Sequence, residues 1–301
     1  MSPATSTSRR LVKRTSLTVD RLAALVGRGH HRHPHATTLL VYHRVGAHSD
    51  SDVDLPVDEF RRQLAYLAEY TEVVDLDTAV AALTAPDSTP SNGATNGATN
   101  GSSTSTSTNA RPRVVLTFDD GTADFTDDAV PALVEANLPA TLYVATHFID
   151  TGDEFPWHAP PTTWAALADA VATGLVTIGS HTHRHHLLDR IDPADAATDL
   201  DRSIESITTH LGRPPAHFAY PKAVPASPAV EVAVRRRFRT AALAANRVNV
   251  PGHTDLHRLW RTPIQRSDDP QCFAAKAAGG MRLEGALRVA AARVKYAAES
   301  Q

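Results

Sequence analysis

The chain has 301 residues, with 42% hydrophobic and 21% charged residues, an ordinary balance for a folded protein with a sizeable core. Its formal net charge of −3 leaves no global basic field for nucleic acid. A single cysteine, Cys272, excludes an intrachain disulfide, and no apolar run is long enough to span a membrane.

Residues 1–36 are basic and then His-rich (GRGHHRHPH), and read as a weakly ordered leader. The apolar run of a signal peptide is missing, because Asp20 and Arg21 break TSLTVDRLAALVG. Cytoplasm is therefore the expected location, with the cell envelope or secretion as the alternative. The first strand is expected at Thr37 to His43, TTLLVYH. Phe60, Leu64, Leu67 and Ala68 then fall at helical spacing, with Asp58 as the expected cap. A short strand EVVDL and a helix DTAVAALTA follow. Residues 85–110 are low in complexity, rich in Ser, Thr, Asn and Gly. They cannot bury enough apolar surface to offset ordering entropy, which predicts a flexible insertion.

Beyond the insertion, strands and helices alternate. RVVLTF, ATLYVAT, LVTIGS, AHFAYP, RTAALAA and HRLWRTPI read as strands. DDAVPALVEANL, TTWAALADAVATG, DPADAATDLDRSIESITTHLG and SPAVEVAVRRRF read as helices. Thr163 stands near one helix start, and Gly174 and Gly212 stand at helix ends. Repeated β-α units predict a parallel sheet with outer helices and chemistry at the carboxyl ends of the strands. Residues 271–301 read as a C-terminal amphipathic helix without a chemical motif.

Two motifs follow strands. LTFDDG places Asp119 and Asp120 side by side before Gly121. Two such charges repel unless a cation or a shared proton relieves them, although Asp-Asp-Gly is also an ordinary turn. GSHTHRHHLL holds four histidines in six residues. His181 and His185 are four apart, which suits two imidazoles on one metal if the segment turns helically, while His183 and His186 are extra. One carboxylate with two histidines leaves coordination positions open, as catalysis requires. A second carboxylate remains as base.

Through these motifs the chain resembles the polysaccharide deacetylases with a NodB-homology domain, over roughly residues 37–270. Thr117–Gly121 and His181–His185 stand where that family has Thr-Phe-Asp-Asp-Gly and His-Ser/Thr-x-x-His. LLVYHRV and HFAYP look like its bacterial Tyr-His-x-Val branch. The resemblance implies a distorted (β/α)7-type barrel and a metal-dependent hydrolase that removes N-acetyl groups from an amino-sugar glycan or saccharide. Asp119 would be the general base. Asp120, His181 and His185 would hold Zn²⁺, or Co²⁺, Ni²⁺ or Mn²⁺ in its place. A backbone N–H after Pro221 would help to stabilise the oxyanion. The chain departs from the family at AYPKA, where Ala219 replaces the Arg that usually orients the base, and Lys222 and Ala223 replace Tyr-Gly. No Leu-x-His stands near the last strand, so His43 and His257 are the candidates for the general acid. Tyr220, Pro221, Lys222 and Trp157 are candidates for contact with substrate. Trp164 is expected in the core, Trp260 is a further aromatic candidate, and Asp124 is expected to cap the next helix. A non-catalytic carbohydrate-binding protein, or a hydrolase of another amide or an O-acetyl ester, are the competing readings.

Overall fold

The computed structural model describes residues 11–20, 35–85 and 111–298. Its centre is formed by seven strands: β1 (Thr37–Tyr42), β2 (Arg113–Phe118), β3 (Ala140–Val144), β4 (Val176–Ser180), β5 (His217–Ala219), β6 (Thr240–Ala244) and β7 (Leu259–Pro263). Each runs parallel to the next in chain order, and β1 pairs with both β2 and β7, so the sheet closes into a barrel. The tightest seam is β1 with β2, paired from Thr37–Arg113 to Tyr42–Phe118. The weakest is β4 with β5, which share the single pair Ser180–Phe218. The expected seven-stranded α/β barrel is thus present, and its distortion lies at that seam.

Side chains alternate across each strand, so every strand has an inner and an outer face. Leu39, Val115, Tyr143, Ala219, Ala242 and Leu259 form one layer inside the barrel. Against it packs helix α2 (Leu76–Thr84), whose Leu76, Ala79, Val80 and Leu83 recur at helical spacing. Each of the large residues in that stripe contributes about 1.5–3 kcal/mol on burial. Asp77 of α2 contacts His217 and Arg239, at the starts of β5 and β6. The helix therefore plugs the amino end of the barrel, and the carboxyl end stays open. On the outer face, Leu40, Tyr42, Leu116, Phe118, Leu142 and Val144 pack with α1 (Val57–Tyr70) and α3 (Val130–Ala136). Phe218, Ala241 and Leu243 pack with α6 (Pro193–Leu211) and α7 (Pro228–Arg237).

Several local expectations are corrected. Asp58 does not cap α1; Pro56 occupies the cap position without a side-chain bond, and Asp58 lies in the first turn. The strand in EVVDL shortens to Glu72–Val73, because Asp75 accepts from Thr78 N (2.7 Å) and starts α2 one residue later. The helix expected from Asp127 begins instead as a π-helical turn, Phe125–Ala129. Thr163 does cap α5 (Trp164–Ala172), and Gly174 and Gly212 take positive φ at helix ends. One helix was not foreseen, α4 (Thr146–Thr151), and the single helix expected over 271–301 is divided into α8 (Pro270–Ala277) and a second helix that begins at Arg282. Residues 11–20 of the expected leader are helical and bury Lys13, Ser16 and Leu17. The rest of that leader up to residue 34, and 86–110 of the low-complexity insertion, lie outside the described residues.

Gly179 of β4 makes room for the inner layer. A Cβ there would lie 2.6 Å from Tyr143 Cδ1 and 2.9 Å from the His217 carbonyl, in a site where neither neighbour can retreat. Gly179→Ala is expected to destabilise the fold by about 1–3 kcal/mol. Urea denaturation should show this as a lowered midpoint with an unchanged m-value.

Candidate active site

The carboxyl mouth of the barrel opens into a cleft of about 950 Å³. Asp119 and Asp120 follow β2 directly. Asp119 N donates to the Tyr42 carbonyl of β1, and Ala145 N after β3 donates to the Asp120 carbonyl. These bonds tie both residues to the neighbouring strand ends. Asp120 has φ of 78° and Gly121 of 95°. The sharp turn sends the two carboxylates to different partners.

Asp119 is clamped by Arg261, which is fully buried on the inner face of β7. Nη1 donates to Oδ1 at 2.5 Å and Nη2 to Oδ2 at 2.8 Å, a fork-to-fork pair. Arg261 Nε is held by the Leu243 carbonyl (3.2 Å), and its guanidinium lies 5.2 Å from the Tyr143 ring centroid. Burial on its own would raise the Asp119 pKa, but Arg261 and His181 outweigh it and bring it to about 2.

Asp120 faces the histidines. Its Oδ1 lies 3.7 Å from His181 Nε2 and 3.4 Å from His185 Nε2. One oxygen and two nitrogens from these residues all lie within 4.8 Å of one another. His181 Nδ1 lies 2.8 Å from the Ala219 carbonyl, which only a protonated nitrogen can approach so closely. The tautomer is thereby fixed, and the Nε2 lone pair is aimed at the cluster. The same bond bridges the weak β4–β5 seam. Burial lowers the His181 pKa to about 4 against the pull of Asp119. Burial and then His181 lower His185 well below its ordinary value. Two neutral imidazoles and a carboxylate are a fitting donor set for a divalent cation. Without a cation, burial and the charge of Asp119 push Asp120 up to about 8.

The four-residue histidine spacing does not work through a helix, as expected, but through a turn. Thr182 and His185 have φ of 70° and 58°. Thr182 Oγ1 accepts from His185 N (2.8 Å), while Asp199 of α6 accepts from His183 N and Arg184 N. His183 points away, its Nδ1 bonded to Thr146 Oγ1 (2.9 Å), and His186 is exposed.

The remaining candidates divide. His43, after β1, lines the cleft with Asp119 and Arg261, and its Nδ1 is buried without a partner. His257 is not brought to the site. It precedes β7, on the amino side of the barrel, and its Nε2 bonds the Phe238 carbonyl (2.8 Å). Lys222 lines the cleft in a loop where it and Ala223 have φ of 53° and 55°. Tyr220 does not line the cleft: its ring packs outward against Phe218, and Pro221 is buried beneath the loop. Trp157 stands at the rim, stacked on Phe155 (5.0 Å) and edge-on to His185 (5.9 Å). Trp164 is remote, stacked on His210 at 4.6 Å, while Trp260 lines the outer part of the cleft. Asp124 makes no helix cap; its carboxylate takes Arg44 Nε (2.6 Å) and the Thr122 hydroxyl.

Arg261 was not recognised from sequence. The signal was present, since it alternates with Leu259 and Pro263 on one face of a strand. A charge at such an inward position demands a partner.

A closed parallel barrel of seven strands that gathers such a cluster at its carboxyl mouth defines the NodB-like class of barrels. Residues 106–241 match the family described as polysaccharide deacetylase. Over this stretch the chain is similar to the polysaccharide deacetylases. Solved structures share the fold. The Streptococcus pyogenes deacetylase PplD, in complex with acetate, has a TM-score of 0.64 at 20% identity, covering 80% of this chain and 98% of that one. IcaB from Ammonifex degensii has a TM-score of 0.63 at 24% identity, covering 81% and 96%. A de-N-acetylase from Aggregatibacter actinomycetemcomitans has 0.63 at 18%, covering 80% and 99%. No curated protein matches the chain in sequence.

A proton-linked metal affinity follows from the geometry. Asp120, with its pKa at about 8, is mostly protonated at pH 7 and must ionise to bind a cation, whereas both histidines are already neutral. Zn²⁺ binding at pH 7 should release about one proton per ion. Affinity should rise about tenfold per pH unit up to pH 8 and level off above it. Calorimetry in buffers of different ionisation enthalpy measures both.

Proposed function

We propose that the chain removes N-acetyl groups from an amino-sugar-containing glycan or saccharide by metal-assisted hydrolysis. One observation carries this reading: of two adjacent carboxylates, Asp119 is locked in the Arg261 fork while Asp120 faces two imidazoles, environments that push their pKa values apart, down for the first and up for the second. Such a split separates an ionised base from a cation ligand. The family match and the deacetylases of like fold support the choice of bond. A protein that only bound carbohydrate would have no use for a second carboxylate locked in a buried guanidinium fork.

Asp120, His181 and His185 would hold the ion, with Zn²⁺ the best fit to two imidazoles and one carboxylate and Co²⁺, Ni²⁺ or Mn²⁺ as alternatives. Such an ion supplies Lewis-acid polarisation of the acetamide carbonyl and acidifies water. Asp119, ionised throughout the physiological range, accepts the proton of the attacking water as the C–O bond forms. Arg261 fixes where that carboxylate points, at the expense of some basicity. His43 is the group placed to pass a proton to the departing sugar amine. Burial disfavours its charged form and Asp119 favours it, which suits a group that protonates only as charge builds beside it. The Lys222 backbone N–H, after Pro221, is the proposed oxyanion donor. Trp157, 39% exposed beside His185, offers an aromatic face for a pyranose ring.

Acetate release from N-acetylglucosamine oligomers tests the reading. Asp119→Asn should lower kcat by about 10³-fold or more while leaving Zn²⁺ affinity within a few-fold, and chelation should abolish turnover reversibly. Turnover that survives either treatment overturns the assignment.

Arg261→Gln isolates the clamp. Removing the guanidinium takes away the main influence that lowers the Asp119 pKa, so burial prevails and the pKa rises. The acid limb of kcat/KM should therefore move to higher pH, with kcat down about 10²-fold from lost orientation.

A further inference from the structure

Helix α9 (Arg282–Ala298) brings Arg288 and Val289 to the wall of the same cleft that holds Asp119 and Asp120. The hydrolytic reading gives this wall no task. Arg288 Nη2 donates to Glu284 Oε1 (2.7 Å) and Gln265 Oε1 (3.0 Å), but its Nε is buried without an acceptor. The internal contacts of Arg288 therefore leave its hydrogen-bonding capacity only partly used.

Nor does Arg288 have Glu284 to itself. Lys276 Nζ lies 3.3 Å from Glu284 Oε2 and 2.8 Å from Asp268, and Lys13 Nζ lies 2.7 Å from Asp268. Three cations in direct contact thus share two carboxylates, with Asp52 one step removed through the Ser267 hydroxyl. Arg288 is the member of this network that lines the cleft. Its charge also reaches His43, at the reacting end. Of the carboxylates on the wall, Asp119 is engaged by Arg261 and Asp120 lies within the histidine cluster, while Asp189 meets Arg190 through Oδ2 at 3.4 Å and leaves its Oδ1 without a partner. Lys222 adds further positive charge, whereas the charge of Arg258 is paired with Glu231 at 2.6 Å. A negatively charged group entering this cleft meets a complementary surface.

We propose that the cleft binds an acidic saccharide, one whose carboxylate or phosphate docks on the Arg288 guanidinium. The proposal deepens the hydrolase reading by naming the class of its substrate and rests on that reading only for turnover. Nη2 is already taken by Glu284 and Gln265, so docking rests on the charge of the guanidinium and the donors that it has left.

Calorimetric titration of the full chain with three matched oligosaccharides tests it. One is a neutral N-acetylglucosamine oligomer, one alternates N-acetylglucosamine with glucuronate, and one carries a terminal phosphate monoester. At least one acidic ligand should bind tenfold or more tightly than the neutral one, and the two acidic arms tell carboxylate from phosphate. Arg288→Gln should erase most of that preference and Arg288→Lys should keep part of it. In the unaltered protein, inorganic phosphate should compete with the acidic ligand and not with the neutral one, a readout that needs no variant. Equal affinities for all three ligands, or a preference untouched by Arg288→Gln in a folded variant, overturn the proposal. Acetate release is measured on the same three compounds. Failure of turnover with the preference intact counts against the hydrolase reading and leaves the anion site standing.

Discussion

The buried fork between Arg261 and Asp119 is the constraint on which the mouth of the barrel depends. It joins the last strand to the second across the interior, and both partners are almost wholly removed from water. Neither charge could be buried alone, and removing one partner of such a pair costs about 3–5 kcal/mol. The pair also decides the state of its neighbour. Burial and the charge of the ionised Asp119 hold the proton on Asp120 up to about pH 8, so that at neutral pH it ionises readily only beside another positive charge, and the two histidines frame the place for that charge. The sequence Asp-Asp thus becomes two chemically different groups through the contacts of one arginine.

Around this pair the backbone is held in conformations it would not choose. Asp120, Thr182, His185, Lys222 and Ala223 all have positive φ without being glycine. Each costs on the order of 1 kcal/mol, and they persist because surrounding bonds over-determine them. Asp199 accepts two consecutive backbone N–H groups, Thr182 accepts from His185, and the Ala219 carbonyl takes the His181 proton. The strain lies at strand ends, while the seven strands and the plugging helix carry regular, well-packed apolar layers. Stability and chemistry occupy opposite ends of the same barrel.

Much of this was legible in the chain. Continuous apolar strands alternating with amphipathic helices predicted the barrel, and two motifs after strands predicted the Asp-His-His cluster, because strand ends of a parallel barrel meet at one mouth. The misses have physical causes. His257 and His43 looked alike as lone histidines, but one precedes its strand and the other follows it, so they lie at opposite ends. Tyr220 and Ala219 alternate across β5, which turns the tyrosine outward and leaves only the small residue and its carbonyl at the site. The arginine that the AYPKA segment lacks is supplied from β7, where the strand pattern marked Arg261 as an inward charge but could not name its partner, 142 positions away. The C-terminal helix carried no motif, yet its Arg288 reaches the cleft through tertiary packing.

The helix that stoppers the barrel has a bearing on how the molecule can be built upon. Ala85, at the end of α2, and Arg111, just before β2, both sit at the closed end, with the entire length of the strands between them and the cleft. Anchoring or fusing a module there leaves the catalytic opening facing the other way, accessible to long or surface-bound sugars.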